Sequence, residues 1–453
     1  MVEMREVYEK LIQKAVGAGL SEVEVYAVRS TIRQFKVSND KIIDVVYRED
    51  EDIGLRGAVN KKTGSMRINT IQVDVDSIVK KLVSIVKASP EDPYWVGFPL
   101  NTEIVVQSSS YDDKIANMNE EEYVEILRNT MDKFKEPALL KGASKVSIAE
   151  GSFTVLEAEI SILNSNGIMR SGLRSSVQMW LGLYVEKNGL QADKSFVYER
   201  SKLDEKLLLE KAFEEGEKAL LFLNSSPIES GVYDVIFDPI TTGEIITSSL
   251  APAFSALNIL ENRSPLKNKL GEKVFNEKLV LIDDPTVDSA TGSRSFDDEG
   301  VPTRTKHVVD KGILKTLLHS YYTAKRMNVE PTGNGLRSHP ASQPLPGFTN
   351  IVISPGRGSI DEFVHDVRRG LIVYEIIGQW MSDPVTGSVK ATVTHGLLVE
   401  RGSVTRAVKG VVIGGNIYDM LSNELIEIGS DIEIVGNTVT PSIWIKDVKV
   451  AGI

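Results

Sequence analysis

The chain has 453 residues, five histidines, no cysteine and a formal net charge of -11. That length suggests two or three domains, and 42% hydrophobic with 25% charged residues is a globular balance with no tract that argues for disorder. An acidic chain without a dense Lys/Arg stripe is a poor partner for a phosphate backbone, and the lack of cysteine excludes disulfides, thiolate ligands and a cysteine nucleophile.

In chain order, the segment Met1 to Lys10 is charged and amphipathic rather than a basic stretch followed by an apolar run. With no stretch of about eighteen uninterrupted apolar residues either, a cytoplasmic protein off the membrane is expected. Val7, Leu11 and Ala15 recur at helical spacing and stop at Gly17 and Gly19. Short β-rich segments follow at Val23 to Ala27, Ile32 to Val37, Ile42 to Tyr47 and Ile53 to Val59, which predicts an antiparallel meander. Periodicity breaks from Ser89 to Ser110, where a first boundary is placed.

A helix is expected over Glu120 to Glu136, closed by Pro137, with Asn119 and Glu122 forming a capping box. Strands are expected at Val146 to Leu163 and Val177 to Val185, with hairpin turns at Asn164 to Gly167 and Asn188-Gly189, and then a helix over Asp204 to Phe222. The rest is mixed, with helices read at Thr242 to Leu260 and Ile360 to Arg369 and many short strands. Helices and hairpins segregated in this way predict an α+β protein without a doubly wound parallel sheet. Three modules are drawn: 1–110, a helix with a β-meander; 111–225, a central α/β module; and 226–453, a mixed α+β module.

Local chemistry is sparse. His307, His319, His339, His365 and His395 are scattered, with no pair at metal-ligand spacing. Gly292 to Phe296 lacks the second glycine of a nucleophile elbow, and Ser354 to Gly358 lacks a Lys-Ser/Thr pair for phosphate. Asp297-Asp298-Glu299 before Gly300 could take a hard cation or an amino group; an acidic turn whose first carboxylate caps backbone amides is the favoured reading on chemistry alone.

Taken together, Leu281 to Thr286, Gly292 to Thr303, Gly312 to Lys315, Thr332 to Gly335, Gly378-Gln379 with Asp383 to Gly387, Gly414-Gly415-Asn416 and Pro441 to Ile445 resemble the signature stretches of the TldD/PmbA peptidase family. The resemblance implies a pair of subunits, a zinc-bearing TldD with a His-Glu-x-x-x-His helix and a C-terminal cysteine, and a TldE or PmbA that differs there. In this chain the register of that motif falls on Thr247 to Pro252, so Thr247 and Ser248 stand at its His-Glu and Pro252 at its second histidine. The resemblance therefore implies no catalytic residue, metal or cofactor in this chain, zinc in a TldD-like partner, and peptide substrates; self-association of the isolated chain stays open. Thr241 to Glu244 reads as a capping box, and Asp297, Asp298, Glu299, Gly378 and Gln379 become candidates for a cavity or subunit contact. A stand-alone peptide-binding or chaperone-like protein and an independent hydrolase with a non-zinc site remain the alternatives.

Overall fold

The computed structural model describes residues 2–69, 74–104 and 106–453, so position 1 of the N-terminal segment and position 105 of the 89–110 stretch lie outside the described residues. Six strands form one antiparallel sheet in the order β3-β2-β1-β4-β5-β6: β1 Glu22–Ser38, β2 Lys41–Val59, β3 Lys62–Ile68, β4 Lys145–Asn164, β5 Met169–Lys187 and β6 Leu190–Arg200. The sheet curves into a half-barrel. It crosses position 110, because β1 pairs with β4 along nearly its whole length, from Glu24↔Asn164 to Ser38↔Glu150.

Alternation decides which face of these strands is buried. Val23, Val25, Phe35 and Val37 of β1 share a face with Leu163, Val155 and Phe153 of β4. At one end of that face α1 (Val2–Gly17) and α2 (Val75–Ala88) pack Leu11, Leu82 and Val86 onto Val23, Val25 and Leu163. At the other end α3 (Asp113–Ala116), α4 (Glu120–Leu140) and α5 (Glu205–Ala219) enclose Phe35, Phe134, Phe153 and Phe196. Each such fully buried apolar side chain is worth about 1.5–3 kcal/mol relative to exposure. Asn188 and Gly189 both take positive φ, as a two-residue hairpin turn requires.

The later residues build a closed barrel. Its ring is β14 (Arg369–Ile377), β7 (Gly231–Phe237), β21 (Ile443–Ala451), β17 (Val411–Asn416) and β15 (Ser388–Glu400), and a β14–β15 pairing shuts it. β16 (Ser403–Val408) extends β15, and β18 (Leu425–Ile428) pairs with β21. A second sheet runs β10 (Ile313–Leu314), β9 (Lys306–Asp310), β8 (Leu281–Asp283), β13 (Ile351–Ile353), β20 (Thr438–Thr440) and β19 (Glu433–Val435), beside a hairpin of β11 (Gly335–Leu336) and β12 (Leu345–Pro346). Pairing is mostly antiparallel, with β7–β14 and β13–β20 parallel, so the protein is α+β.

Several local readings change. The segments at 32–37 and 23–27 are one strand, as are those at 42–47 and 53–59, because cross-strand partners accommodate the charged stretch between the latter two. Pro137 sits inside the last turn of α4 rather than ending it, and the Asn119/Glu122 capping box forms as expected. The single helix read over 242–260 is four pieces: α6 (Pro239–Ile245), a π-turn at Ile246–Leu250, a 3-10 turn at Ala251–Phe254 and a short helix at Ala256–Leu260. α6 is capped by Asp238, whose side chain accepts from the Thr241 N–H, with Pro239 at the first helical position, so Thr241 to Glu244 is no capping box.

Candidate functional site

The π-turn carries the positions of interest. Ile245, Ile246 and Leu250 are buried in the barrel core, which fixes the turn and directs Thr247 to solvent. Ser248 Oγ donates to the Glu244 carbonyl at 2.8 Å. Pro252 enters the following 3-10 turn, and its carbonyl accepts from Asn258 Nδ2 at 2.8 Å.

Gly378, at φ 86, turns the chain out of β14 into a 3-10 turn over Gln379–Met381. Gln379 Nε2 then reaches Glu244 Oε2 at 3.4 Å, so the structure brings the Gly378-Gln379 segment and the motif register together. Gln379 Oε1 is buried with no partner. Burial, with the nearby charges of Asp238 and Glu375, pushes the Glu244 carboxyl up to about 7. Asp238 is likewise pushed to about 7 by burial, against the Thr241 N–H, and lines a cavity of about 140 Å³ with Arg200, Lys211, Glu215, Lys218 and Tyr374.

These residues do not suit zinc. Two hydroxyls and a proline offer no imidazole or thiolate, and Glu244 is a single carboxyl at an ordinary hydrogen bond. Among the described residues no group of three or more His, Cys, Asp or Glu side chains could hold a metal ion. His307, His339 and His365 are exposed on separate elements. His319 is buried and held down to about 4 by that burial. His395 lies between Glu375, 3.0 Å from Nδ1, and Asp193, whose carbonyl oxygen is 2.8 Å from Nε2. Burial opposes its charge, yet these two partners raise it to about 9. Lys194 joins this cluster through Glu375 and through Glu215 at 2.8 Å, tying β6 to the barrel.

Asp297, Asp298 and Glu299 are buried where the half-barrel meets the C-terminal module. Asp297 accepts three backbone N–H groups, those of Glu299 and Val301 at 2.9 Å and Gly335 at 2.8 Å. Its carboxyl is still raised by burial. Asp298 accepts from the Tyr26 hydroxyl at 3.0 Å, the Arg337 N–H at 2.9 Å and Arg294 at 3.3 Å. Burial would raise it, but Arg294 and Arg174 hold it below the usual carboxylate range. Glu299 accepts from the Tyr321 N–H at 2.6 Å, and burial and the Asp297 charge raise it. Arg337 completes the junction by pairing with Glu24 of β1, which also meets Arg56 at 3.2 Å.

Chemically, this junction holds charge and fixes two sheets, and no reacting atom can reach it from solvent without opening it. Ser293 is also enclosed, its hydroxyl donating to the Val287 carbonyl at 2.6 Å, and cannot serve as a nucleophile. Glu244, Glu24, Arg337, Lys194 and Glu375 escaped sequence reasoning, since each acts through partners distant along the chain.

Residues 230–452 match the family model described as the PmbA/TldA metallopeptidase C-terminal domain, and residues 23–88 match PmbA/TldA metallopeptidase domain 1. The chain belongs to the PmbA/TldD family. Within the family, a metalloprotease of Methanocaldococcus jannaschii is 36% identical over 210 residues, covering 46% of this chain and 46% of that protein. A metalloprotease PmbA homolog of Buchnera aphidicola is 26% identical over 326 residues, 71% of this chain and 70% of that protein. The chain thus spans about half the length of the archaeal relative at 46%. Among solved structures, TldE from Thermococcus kodakarensis superposes with a TM-score of 0.87 at 24% identity, covering 98% of this chain and 100% of that one, which shows a shared fold. Among the described residues no helix is long and apolar enough to cross a membrane.

Proposed function

We propose that this chain is the non-catalytic, TldE/PmbA-type subunit of a heterodimeric TldD/TldE zinc metallopeptidase that acts in the cytoplasm on unfolded or peptide substrates. The observation that carries this reading is the chemistry at 247–252: the helix position where the family's metal motif belongs presents Thr247, Ser248 and Pro252, and the chain has no cysteine. A peptide carbonyl needs a Lewis acid or an activated water, and an exposed threonine hydroxyl, a serine hydroxyl bonded to backbone and a proline supply neither. The zinc belongs to the partner, and this chain contributes scaffold and contact surface. In keeping with that role, the Asp297 to Glu299 carboxylates are committed to backbone amides and arginines, and Gln379 and Glu244 are bonded to each other.

The test is a peptide-cleavage assay on this chain, on a recombinant homologue from the same organism that carries His-Glu-x-x-x-His and a C-terminal cysteine, and on the mixture. The mixture is expected to cleave unstructured peptides, to stop on chelation, and to lose turnover when the partner's motif Glu is changed. Chelator-sensitive cleavage by this chain alone, surviving repurification, overturns the reading and favours an independent hydrolase.

A further inference from the structure

The outer face of the closed barrel carries a row of three exposed apolar residues and a half-buried threonine. Ile377, Thr392, Val412 and Ala451 are successive cross-strand partners on β14, β15, β17 and β21. Their neighbours Val389, Ala391, Val393, Val411 and Ile413 point inward and are buried, so the row faces out by strand alternation. Beyond Ile377 the 3-10 turn presents Trp380 and Met381, which are 68% and 67% exposed.

That turn is not a loose tip. Ser382 Oγ accepts from the Lys390 N–H at 3.2 Å, Tyr418 donates to the Pro384 carbonyl at 2.8 Å, and Asn416 donates to the Thr386 carbonyl at 2.8 Å. Asp383 caps the loop by accepting from Val385 N–H and Thr386 Oγ1, both at 2.9 Å. The 3-10 turn is closed by the Met381 and Ser382 N–H groups, which donate to the Gly378 and Gln379 carbonyls, while Trp380 and Met381 stand in water. Large apolar side chains kept ordered and exposed are the usual anchors of a protein interface.

A second observation comes from the adjacent row. Gly414 lies between Lys390 and Lys449 as their cross-strand partner. A Cβ built at Gly414 would meet only the Val389 carbonyl, at an ordinary 3.8 Å, and its φ is not positive. By contrast, a Cβ at Gly415 would strike Met420 at 2.4 Å, so internal packing accounts for that glycine alone. Glycine in a strand where a side chain would fit weakens the strand and marks the close approach of another chain. The result is a notch of bare backbone between two exposed lysines, next to Val412 on the same face of the strand.

We propose that this face docks the metal-bearing subunit, through a surface with an apolar protrusion that enters the Gly414 notch and carboxylates that meet Lys390 and Lys449. The proposal rests on the heterodimer reading above and locates its contact. A second copy of this chain fits less well, since a two-fold contact through this patch gathers Lys390 and Lys449 of both copies into one interface. The docked partner would lie beside the Gln379–Glu244 pair, on the same side of the barrel as the motif register.

The test measures binding of the recombinant motif-bearing homologue to the full chain by titration calorimetry, with sedimentation of each chain alone. Trp380→Ala is expected to weaken binding by about 30-fold, and Lys390→Glu with Lys449→Glu by about tenfold. Gly414→Ala, whose Cβ meets nothing nearer than 3.8 Å, should weaken binding by about tenfold while the thermal stability of the free chain is not lowered. If the wild-type chain binds and all three variants bind alike, the surface is wrong and the heterodimer reading stands. If the wild-type chain does not bind the homologue, the heterodimer reading falls and the proposal with it. If the chain alone dimerises and Trp380→Ala abolishes that dimer, the occupant is a second copy and the assignment is overturned.

Discussion

Replacing Arg337 by Ala should destabilise the protein by about 3–5 kcal/mol, the usual cost of stripping one partner from a buried ion pair. Arg337 and Glu24 are each 1% exposed in their side chains, so neither charge can turn to water. Besides Glu24, the guanidinium serves the carbonyls of Asp298 and Ser342 at 2.9 Å and Pro340 at 3.1 Å, and it lies 4.8 Å from the Tyr26 ring centre. Alanine leaves three buried carbonyls without a donor and Glu24 with Arg56 alone, while Glu24 Oε2 already lacks a partner. Urea denaturation followed by tryptophan fluorescence measures the loss, with Glu24→Leu and the pair Glu24→Leu/Arg337→Ala completing a double-mutant cycle. The pair should cost less than the two single changes together, since the Glu24 and Arg337 charges leave together and only Arg56 is left without its carboxylate. A loss below about 1 kcal/mol for Arg337→Ala, or strict additivity in the cycle, refutes the assignment of this arginine as the electrostatic tie between the half-barrel and the C-terminal module.

Other outcomes follow from the same geometry. The folded-state pKa of Asp238 is raised, so its favourable contribution is full below the ordinary carboxylate range and is lost as pH rises through about 7. Asp238→Asn, which keeps the helix cap, should flatten the melting-temperature profile between pH 5 and pH 8 by an amount on the order of 3 kcal/mol at most; an unchanged slope counts against it. Acidification tests Glu375 in the opposite sense: its pKa is lowered to about 2 as Lys194 and His395 outweigh burial, so stability from it is present above the ordinary range and lost as pH falls toward about 2. Glu375→Gln should remove that acid-limb loss, read from denaturation midpoints. After dialysis the chain should hold no stoichiometric zinc by elemental analysis, and roughly one tightly bound zinc per chain would overturn the non-catalytic reading. The module from Gly231 to Ile453 should become more resistant to limited proteolysis when the partner is added; equal cleavage with and without it would refute a contact there.

Where physics is local, the sequence was readable. Helix α1 ends at its glycine, Asn119 and Glu122 build their capping box, and Asn188-Gly189 turns its hairpin, because caps and two-residue turns are decided by adjacent residues. The charged run Arg48 to Asp52 resembles a turn by composition, yet it continues β2, and Glu51 faces Arg29 across the ladder at 3.4 Å. No window of sequence contains that partner. The acidic triplet shows the same limit: its cap by Asp297 is legible as turn chemistry, while Arg174, Arg294 and Arg337, which decide that Asp298 stays ionised, come from three separate segments.

The segment from Asp238 to Phe254 shows why this barrel can hold its shape whatever stands at 247, 248 and 252. Its anchors are Ile245, Ile246, Leu250, Ala253 and Phe254, all buried in the barrel core, together with the Asp238 cap and the Thr440 hydroxyl that donates to the Pro239 carbonyl at 2.8 Å. Thr247 points to solvent, and Ser248 spends its hydroxyl on the backbone one turn earlier. Substitution at these positions removes no apolar burial, so fold stability places little constraint on them. What does constrain the region is Pro252, which lacks an N–H and so cannot extend a regular helix through its position; the chain answers with a π-turn before it and a 3-10 turn around it. Positions 247 and 252 are five residues apart, a spacing that a π-turn brings toward one face and that a regular helix sets about 140° apart. Installing histidines at 247 and 252 with Glu at 248 should leave the buried anchors in place and still give weak zinc affinity, because no cysteine closes the shell.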